Sequence, residues 1–294
     1  MSAATRRRDT PLSLLALPSL LIFVTFAVVP LFGVVVLSFT KWDGIGDILP
    51  NGVDSWRVVL ADPMTWHALG LTLTIMVASW LVQTPLCLLL GTFIAGHQRY
   101  RSVLAVLFFL PLLLSSAAIA IAFKSLLDPN FGLGAGLHLP ILNQDWLGVD
   151  LAFPVVIGVI AWQFIPFHTL LYQGGVRQIP VQLYEAAEID GAGRIQQFFT
   201  ITLPQLKYTV ITSSTLMLVG SLTYFDLVFV MTEGGPGNAT RILPLDMYIR
   251  GFKANQMGAA SVLAVFLVVL GLAMALGVQR LGGKDKAASQ LEGM

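Results

Sequence analysis

Residues 179 to 204 read IPVQLYEAAEIDGAGRIQQFFTITLP. Pro180 suits the first turn of a helix, where the N–H it lacks would be unpaired anyway, and Gly191 can take a positive φ just past a helix end. The pattern predicts a surface helix of about 11 residues, roughly 16 Å long at 1.5 Å per residue. Ala186 and Ala187 present no bulk to a neighbour, while Glu185, Glu188 and Asp190 surround them with polar groups. Such a surface is suited to docking. Past the break at Gly191 to Gly193, Ile195, Phe198, Phe199 and Thr202 keep helical spacing and predict an apolar face that packs back on neighbouring helices. Pro204 then opens the next element, as proline does near a helix start. Taken alone, the pattern fits equally an amphipathic interfacial helix with no moving partner.

Outward from this stretch the chain becomes apolar on both sides. Windows 151 to 176 and 208 to 225 carry no Asp, Glu, Lys or Arg, and neither do 11 to 40, 63 to 98, 102 to 123 and 254 to 279. Of 294 residues, 56% are hydrophobic and 11% charged, against about a quarter charged in an average soluble domain. A bilayer core about 30 Å thick needs roughly 20 apolar residues of helix. Five windows reach that length. The window from Tyr208 to Phe225 is shorter but continues past Asp226 into Leu227 to Met231. The expectation is an all-α membrane protein with six crossings: a cytoplasmic leader over 1–12, a six-helix domain over 13–280 with an inner loop at about 177–207, and a cytoplasmic tail over 281–294. The run from Leu12 to Phe39 is too long for the core of a secretion signal and reads as a retained first span.

Lys and Arg collect on the cytoplasmic side of membrane proteins. With both termini inside, the inner segments hold eleven of them and the outer segments six. The docking stretch then faces the cytoplasm. The outer connector from Lys41 to Met64, with Trp42, Asp43, Gly44, Pro50, Asn51 and Trp56, reads as an ordered loop with aromatic anchors. A net charge of +1 gives no footprint for a nucleic-acid partner. The single cysteine, Cys87, lies in an apolar window and suits packing rather than a disulfide. Pro30, Pro85, Pro111, Pro154 and Pro166 are possible bend points.

Catalytic signatures are missing. No GxxxxGK[ST] phosphate loop and no HExxH occurs, and His67, His97, His138 and His168 are scattered, so neither ATP hydrolysis nor a metal site is expected on this chain. A passive six-helix channel or a membrane scaffold stays open as an alternative. An intramembrane serine protease is a weaker one, because the final span has no His to activate a Ser.

Glu185, Ala186, Ala187, Asp190, Gly191, Ala192, Phe198, Leu203 and Pro204 resemble, in identity and spacing, the EAA signature of bacterial ABC importer permeases. FVMTEGGPGNAT at 229 to 240 resembles the loop of the carbohydrate-uptake type 1 group, the maltose and glycerol-phosphate permeases. Alone, Gly234, Gly235, Pro236 and Gly237 would read as a tight turn. The resemblance implies a type I importer fold in the bacterial inner membrane. It implies further that Glu185 to Ala192 form a cytoplasmic coupling helix seated in a separate ATPase subunit, and that Gly234, Gly235 and Pro236 lie toward an extracytoplasmic sugar-binding protein. A second similar permease and two ATPase subunits, which bind ATP and Mg, would complete the assembly; no cofactor is expected on this chain. A sugar offers hydroxyls and flat C–H faces, so its pathway should combine hydrogen-bonding and aromatic groups. Trp162, Gln163, Phe167, His168 and Tyr172 on the fourth span, with Tyr224, Phe225 and Asp226 on the fifth, are the candidates. Asp226 stands out because it interrupts an apolar run; a place near the interface or a helix contact would explain it equally.

Overall fold

The computed structural model describes residues 16–96, 99–138 and 144–281. His97, the leader over 1–12 and all of the tail beyond Leu281 lie outside these residues. In chain order the elements are α1 (Leu17–Leu37), β1 (Thr40–Lys41), β2 (Leu49–Pro50), α2 (Asp54–Ala61), α3 (Pro63–Ile94), α4 (Arg99–Phe108), α5 (Leu110–Leu113), α6 (Ser116–Leu126) and α7 (Leu133–Gly136). Next come α8 (Ala152–Arg177), α9 (Val181–Ile189), α10 (Arg194–Gln197), α11 (Lys207–Ser221), α12 (Phe225–Thr232), α13 (Leu243–Tyr248) and α14 (Met257–Leu281).

Among the described residues, four helices are long and apolar enough to cross a bilayer: Leu17–Leu37, Pro63–Ile94, Ala152–Arg177 and Met257–Arg280. The expected fifth crossing is a pair, α11 and α12, bent by 47°. The expected third crossing, over 102 to 123, is built from three helical pieces rather than one helix. Pro111 sits in the first turn of the short α5, Leu114 and Ser115 are extended, and the Ser115 hydroxyl caps α6 by accepting from Ala118 N–H at 3.2 Å. A proline without its N–H and a serine that caps a new start interrupt the helix, although hydropathy is continuous. Pro85 and Pro166, by contrast, lie inside unbroken helices.

The chain divides into two compact units. The first comprises residues up to 61 together with 247–265. Its α1 buries no side chain within the chain, as suits a helix that is apolar all round and meets lipid or another subunit. The connector from Lys41 to Met64 includes a short hairpin and a helix, α2, that the turn-rich sequence did not suggest. β1 and β2 pair antiparallel, Thr40 opposite Pro50 and Lys41 opposite Leu49, and Trp56 Nε1 donates to Ser38 Oγ at 3.2 Å.

The second unit comprises 62–246 and residues from 266 onward. Its centre is the contact of α3 with α8, joined by α11, where Cys87, Ala161, Ile165, Tyr172, Leu206 and Met217 form a buried cluster. Gly91 permits the approach: a Cβ there would lie 2.6 Å from Tyr172 Cβ and 3.1 Å from Thr169 O. Small residues bring membrane helices close, and polar side chains then bond across them. Trp80 Nε1 donates to Ser214 Oγ at 2.8 Å, His168 Nδ1 lies 3.0 Å from Ser213 Oγ, and Cys87 Sγ donates to Ile165 O at 3.4 Å. Cys87 is therefore a packing residue, as its window implied.

Candidate functional site

The docking stretch folds as a nine-residue helix, α9, with Pro180 at its N-cap in extended conformation. It is two residues shorter than its spacing suggested, about 13 Å at 1.5 Å per residue. None of its residues is buried. Glu185, Ala186, Glu188 and Asp190 are exposed and Ala187 is half-buried. Ile189 is 87% exposed, so the free face joins acidic groups to an uncovered apolar one. Gly191 has φ +79°, Gly191 N–H donates to Glu188 O at 3.0 Å, and Ala192 N–H donates to Ala187 O at 2.8 Å. These two bonds and the positive φ make a Schellman termination.

Two side-chain bonds tie α9 and its C-terminal end to the segment running into the fifth span. Tyr184 Oη and Thr202 Oγ1 are 2.9 Å apart, and Gln197 Nε2 donates to Ala192 O at 3.0 Å. The segment after the break is a π-turn over Phe198–Thr202 between α10 and Leu203–Gln205. Here the sequence expectation holds for Thr202, which is buried, and Phe198, which is half-buried, but not for Ile195 and Phe199. Ile195 and Phe199 are 78% and 60% exposed, while Gln197 and Thr202 are buried. The wider turn breaks the 3.6-residue phase, so positions 195, 198, 199 and 202 do not share one inward face. Tyr184 and Gln197 escaped the sequence reading. Their only signal was a hydroxyl and an amide inside the motif, with partners 18 and 5 residues away.

The glycine-rich loop is more than a tight turn. Glu233, Gly234, Gly237 and Asn238 all have positive φ, and the Gly235–Pro236 peptide is cis. Thr232 Oγ1 and Thr240 Oγ1 lie 2.6 Å apart, and Thr240 Oγ1 donates to Gly235 O at 3.1 Å, closing the loop at its base. Leu243 N–H donates to Thr72 Oγ1 at 2.8 Å, which anchors the loop to α3. Arg241 contacts Asp246 Oδ1 through Nη2 at 2.7 Å and Nε at 3.0 Å; Asp246 is wholly buried. The sequence reading did not single out that pair.

The candidate pathway residues separate. Trp162 stands edge-on to Phe123 at 5.3 Å, and both line a cavity of about 400 Å³ with Leu126, Trp146, Val155 and Val159. Phe167 and Asp226 are exposed, Asp226 in the first turn of α12, and Phe225 stacks on Phe229 at 5.3 Å. Gln163, His168, Tyr172 and Tyr224 are buried in helix packing. Gln163 Nε2 donates to Ser116 Oγ at 3.0 Å, and Tyr224 stacks on Phe164 at 5.2 Å. Tyr172 is fully enclosed against Gly91, because α3 and α8 meet there. Among the described residues no three His, Cys, Asp or Glu side chains gather to hold a metal.

The family model for the binding-protein-dependent transport system inner membrane component matches residues 87–283. The chain is 33% identical over 264 residues to the probable ABC transporter permease protein YurN of Bacillus subtilis (strain 168), covering 87% of this chain and 90% of the relative. It is 30% identical over 268 residues to MsmF, a multiple sugar-binding transport system permease protein of Streptococcus mutans, covering 88% and 91%. In fold it matches a chain of a bacterial ABC transporter that imports the acidic polysaccharide alginate, with TM-score 0.82 at 22% identity, over 95% of this chain and 97% of the other. The chain therefore belongs to the family of binding-protein-dependent transport system inner membrane components, the permease subunits of ABC importers.

Proposed function

We propose that this chain is the translocation subunit of an ATP-driven importer that takes up a carbohydrate delivered by an extracytoplasmic binding protein. The observation that carries this reading is α9: wholly unburied, ended by Gly191, and braced through Tyr184 to the segment that leads into the fifth span. Hydrolysis of ATP belongs to two partner ATPase subunits, which hold ATP and Mg, and a second similar permease encloses the pathway. The chain sits in the bacterial inner membrane with both termini and α9 in the cytoplasm. The carbohydrate assignment is supported by relatives named for sugar transport and by the exposed Trp162, Phe167 and Asp226 on the fourth and fifth spans. Nucleotide binding favours one closure of the ATPases, and a ligand shifts a conformational equilibrium only by its differential affinity. The brace from α9 to the fifth span transmits that preference to the spans.

The direct test is purification from its own membranes followed by ATP-dependent uptake of labelled sugars in proteoliposomes. An ATPase should co-purify and uptake should need ATP. Sugar flux without ATP would favour the passive channel, and an α9 labelled only from outside would remove the coupling role. Tyr184→Phe should lower uptake severalfold while assembly and ATPase binding persist, because the brace is worth about 0.5–1.5 kcal/mol as a hydrogen bond; unchanged uptake per ATP hydrolysed would remove the brace. Asp226→Asn should raise KM for sugar with the complex intact, since it removes the exposed carboxylate acceptor on α12. Wild-type kinetics would return Asp226 to a packing or interface role.

A further inference from the structure

The first unit contains a cleft that the coupling and pathway readings leave unused. Its volume is about 400 Å³, and its lining includes Lys41, Trp42 and Asp43 from the outer hairpin, Asn51, and Asn255 and Gln256 just before α14. Main-chain and side-chain bonds hold the walls. Met257 N–H donates to Trp42 O at 3.0 Å, Gln256 N–H to Arg250 O at 2.8 Å, and Ser55 Oγ to Thr40 O at 3.0 Å. The approach is close enough that a Cβ on Gly258 would run into Thr40 O. The cleft is thus preformed rather than a gap between loose loops.

Its chemistry is specific. The Asp43 carboxylate accepts from Ile45 N–H at 3.0 Å and Gly46 N–H at 2.7 Å, bonds that hold its pKa below the ordinary value, so it stands as a charged acceptor. Trp42 Nε1 donates to Gly46 O at 2.9 Å, which pins the half-buried indole. The side-chain amides of Asn255 and Gln256 are exposed and make no hydrogen bond among the described residues. An ammonium and two amides donate, a carboxylate and two amides accept, and an indole offers a flat apolar face. Lys41 offsets Asp43, so the cleft selects neither an anion nor a cation. Neighbouring hydroxyls above a C–H face, as on a pyranose, match this set. Small-molecule pockets run from about 300 to 1,000 Å³, so the cleft has room for a mono- or disaccharide unit.

We propose that this cleft is a second saccharide-binding site, distinct from the pathway candidates, all of which belong to the other unit. The inference rests on the carbohydrate reading and on the outward placement of the connector that carries the hairpin.

The test uses the complete transporter with Val58→Cys. Val58 lines the cleft and is 63% exposed, whereas the native Cys87 is wholly buried and is the chain's only cysteine. A membrane-impermeant maleimide should label the variant on intact spheroplasts. Maltose, cellobiose and xylobiose are then added singly at ~20 mM, well above a dissociation constant on the order of 1 mM. At least one should slow labelling ~5-fold or more, corresponding to an occupancy of about 80% or higher. That protection should vanish with Asn255→Gly and Gln256→Ala together; glycine keeps the φ of +52° at position 255. No protection by any of the three, or protection that survives the double substitution, overturns the site. Protection by sugar-free binding protein alone would make the cleft a protein contact and overturns it equally. Labelling only after permeabilisation overturns the outward placement. ATP-dependent sugar uptake that persists without protection sinks the cleft and leaves the importer reading standing.

Discussion

Gly191→Val is expected to cut ATP-dependent uptake by about 5- to 30-fold while the complex still assembles. Gly191 has φ +79°, and nothing lies within 4 Å of a Cβ built there. The substitution therefore introduces backbone strain with open space at Cβ. A left-handed conformation costs an L-residue roughly 1–2 kcal/mol, and one or two kcal/mol is a factor of about 5–30 in a conformational equilibrium. The strain falls on the Schellman bonds from Gly191 to Glu188 and from Ala192 to Ala187, so the end of α9 unwinds where it must stay aligned with its partner. Two companions separate this from a general effect of side-chain bulk. Gly191→Asn should retain most uptake, because asparagine tolerates positive φ. Gly193→Ala should be silent, since Gly193 has φ −71° and open space around it. Uptake per ATP hydrolysed in proteoliposomes is the measurement. Equal activity of Gly191→Val and wild type would remove α9 from the coupling route.

The largest stability effect is expected at Arg241. Asp246 is 0% exposed and Arg241 19%, with two guanidinium nitrogens on one carboxylate oxygen. Truncating one partner of a buried pair costs up to about 3–5 kcal/mol, a large part of a typical stability of about 5–15 kcal/mol, and here it removes two charge-assisted hydrogen bonds from a carboxylate shielded from water. Arg241→Ala should therefore lower the yield of folded protein in detergent and its thermal midpoint sharply. Arg241→Lys should recover only part, because an ammonium cannot reproduce the planar two-nitrogen contact. Arg241→Met with Asp246→Asn should recover more than Arg241→Ala, since the buried carboxylate is neutralised together with the loss of its guanidinium. Asp54→Ala provides the contrast. Its pair with Arg57 is 75% and 62% exposed, and exposed pairs are worth about 0–1 kcal/mol. A loss at Arg241 no greater than at Asp54 would mean that the Asp246 carboxylate finds water in solution.

The candidate site was legible to unequal depths. Pro180 and Gly191 marked the two ends of α9 because capping is a local preference, satisfied within a few residues of the end it serves. Ile195 and Phe199 were placed inward on helical spacing, and both are exposed, Phe199 within the π-turn at Phe198–Thr202 that shifts the phase of the helix. Tyr172 and Gln163 had the residue types of a sugar pathway, yet the close approach at Gly91 and the bond to Ser116 enclose them. Residue type identifies what a side chain can bond to, and only packing decides whether a ligand or another helix is the partner.

Hydropathy and capping alone established that this chain lives in a membrane, roughly where it crosses, and where the exposed helix with its glycine end lies. Both act over a turn or two, so they can be read in order along the chain. Only the structure showed that the third window breaks at Ser115, that the fifth bends by 47°, and that α9 is braced through Tyr184 and Thr202. The brace joins residues 18 apart in the chain, which no local pattern encodes, whereas the break rests on Pro111 and the Ser115 cap, local signals hidden under continuous hydropathy.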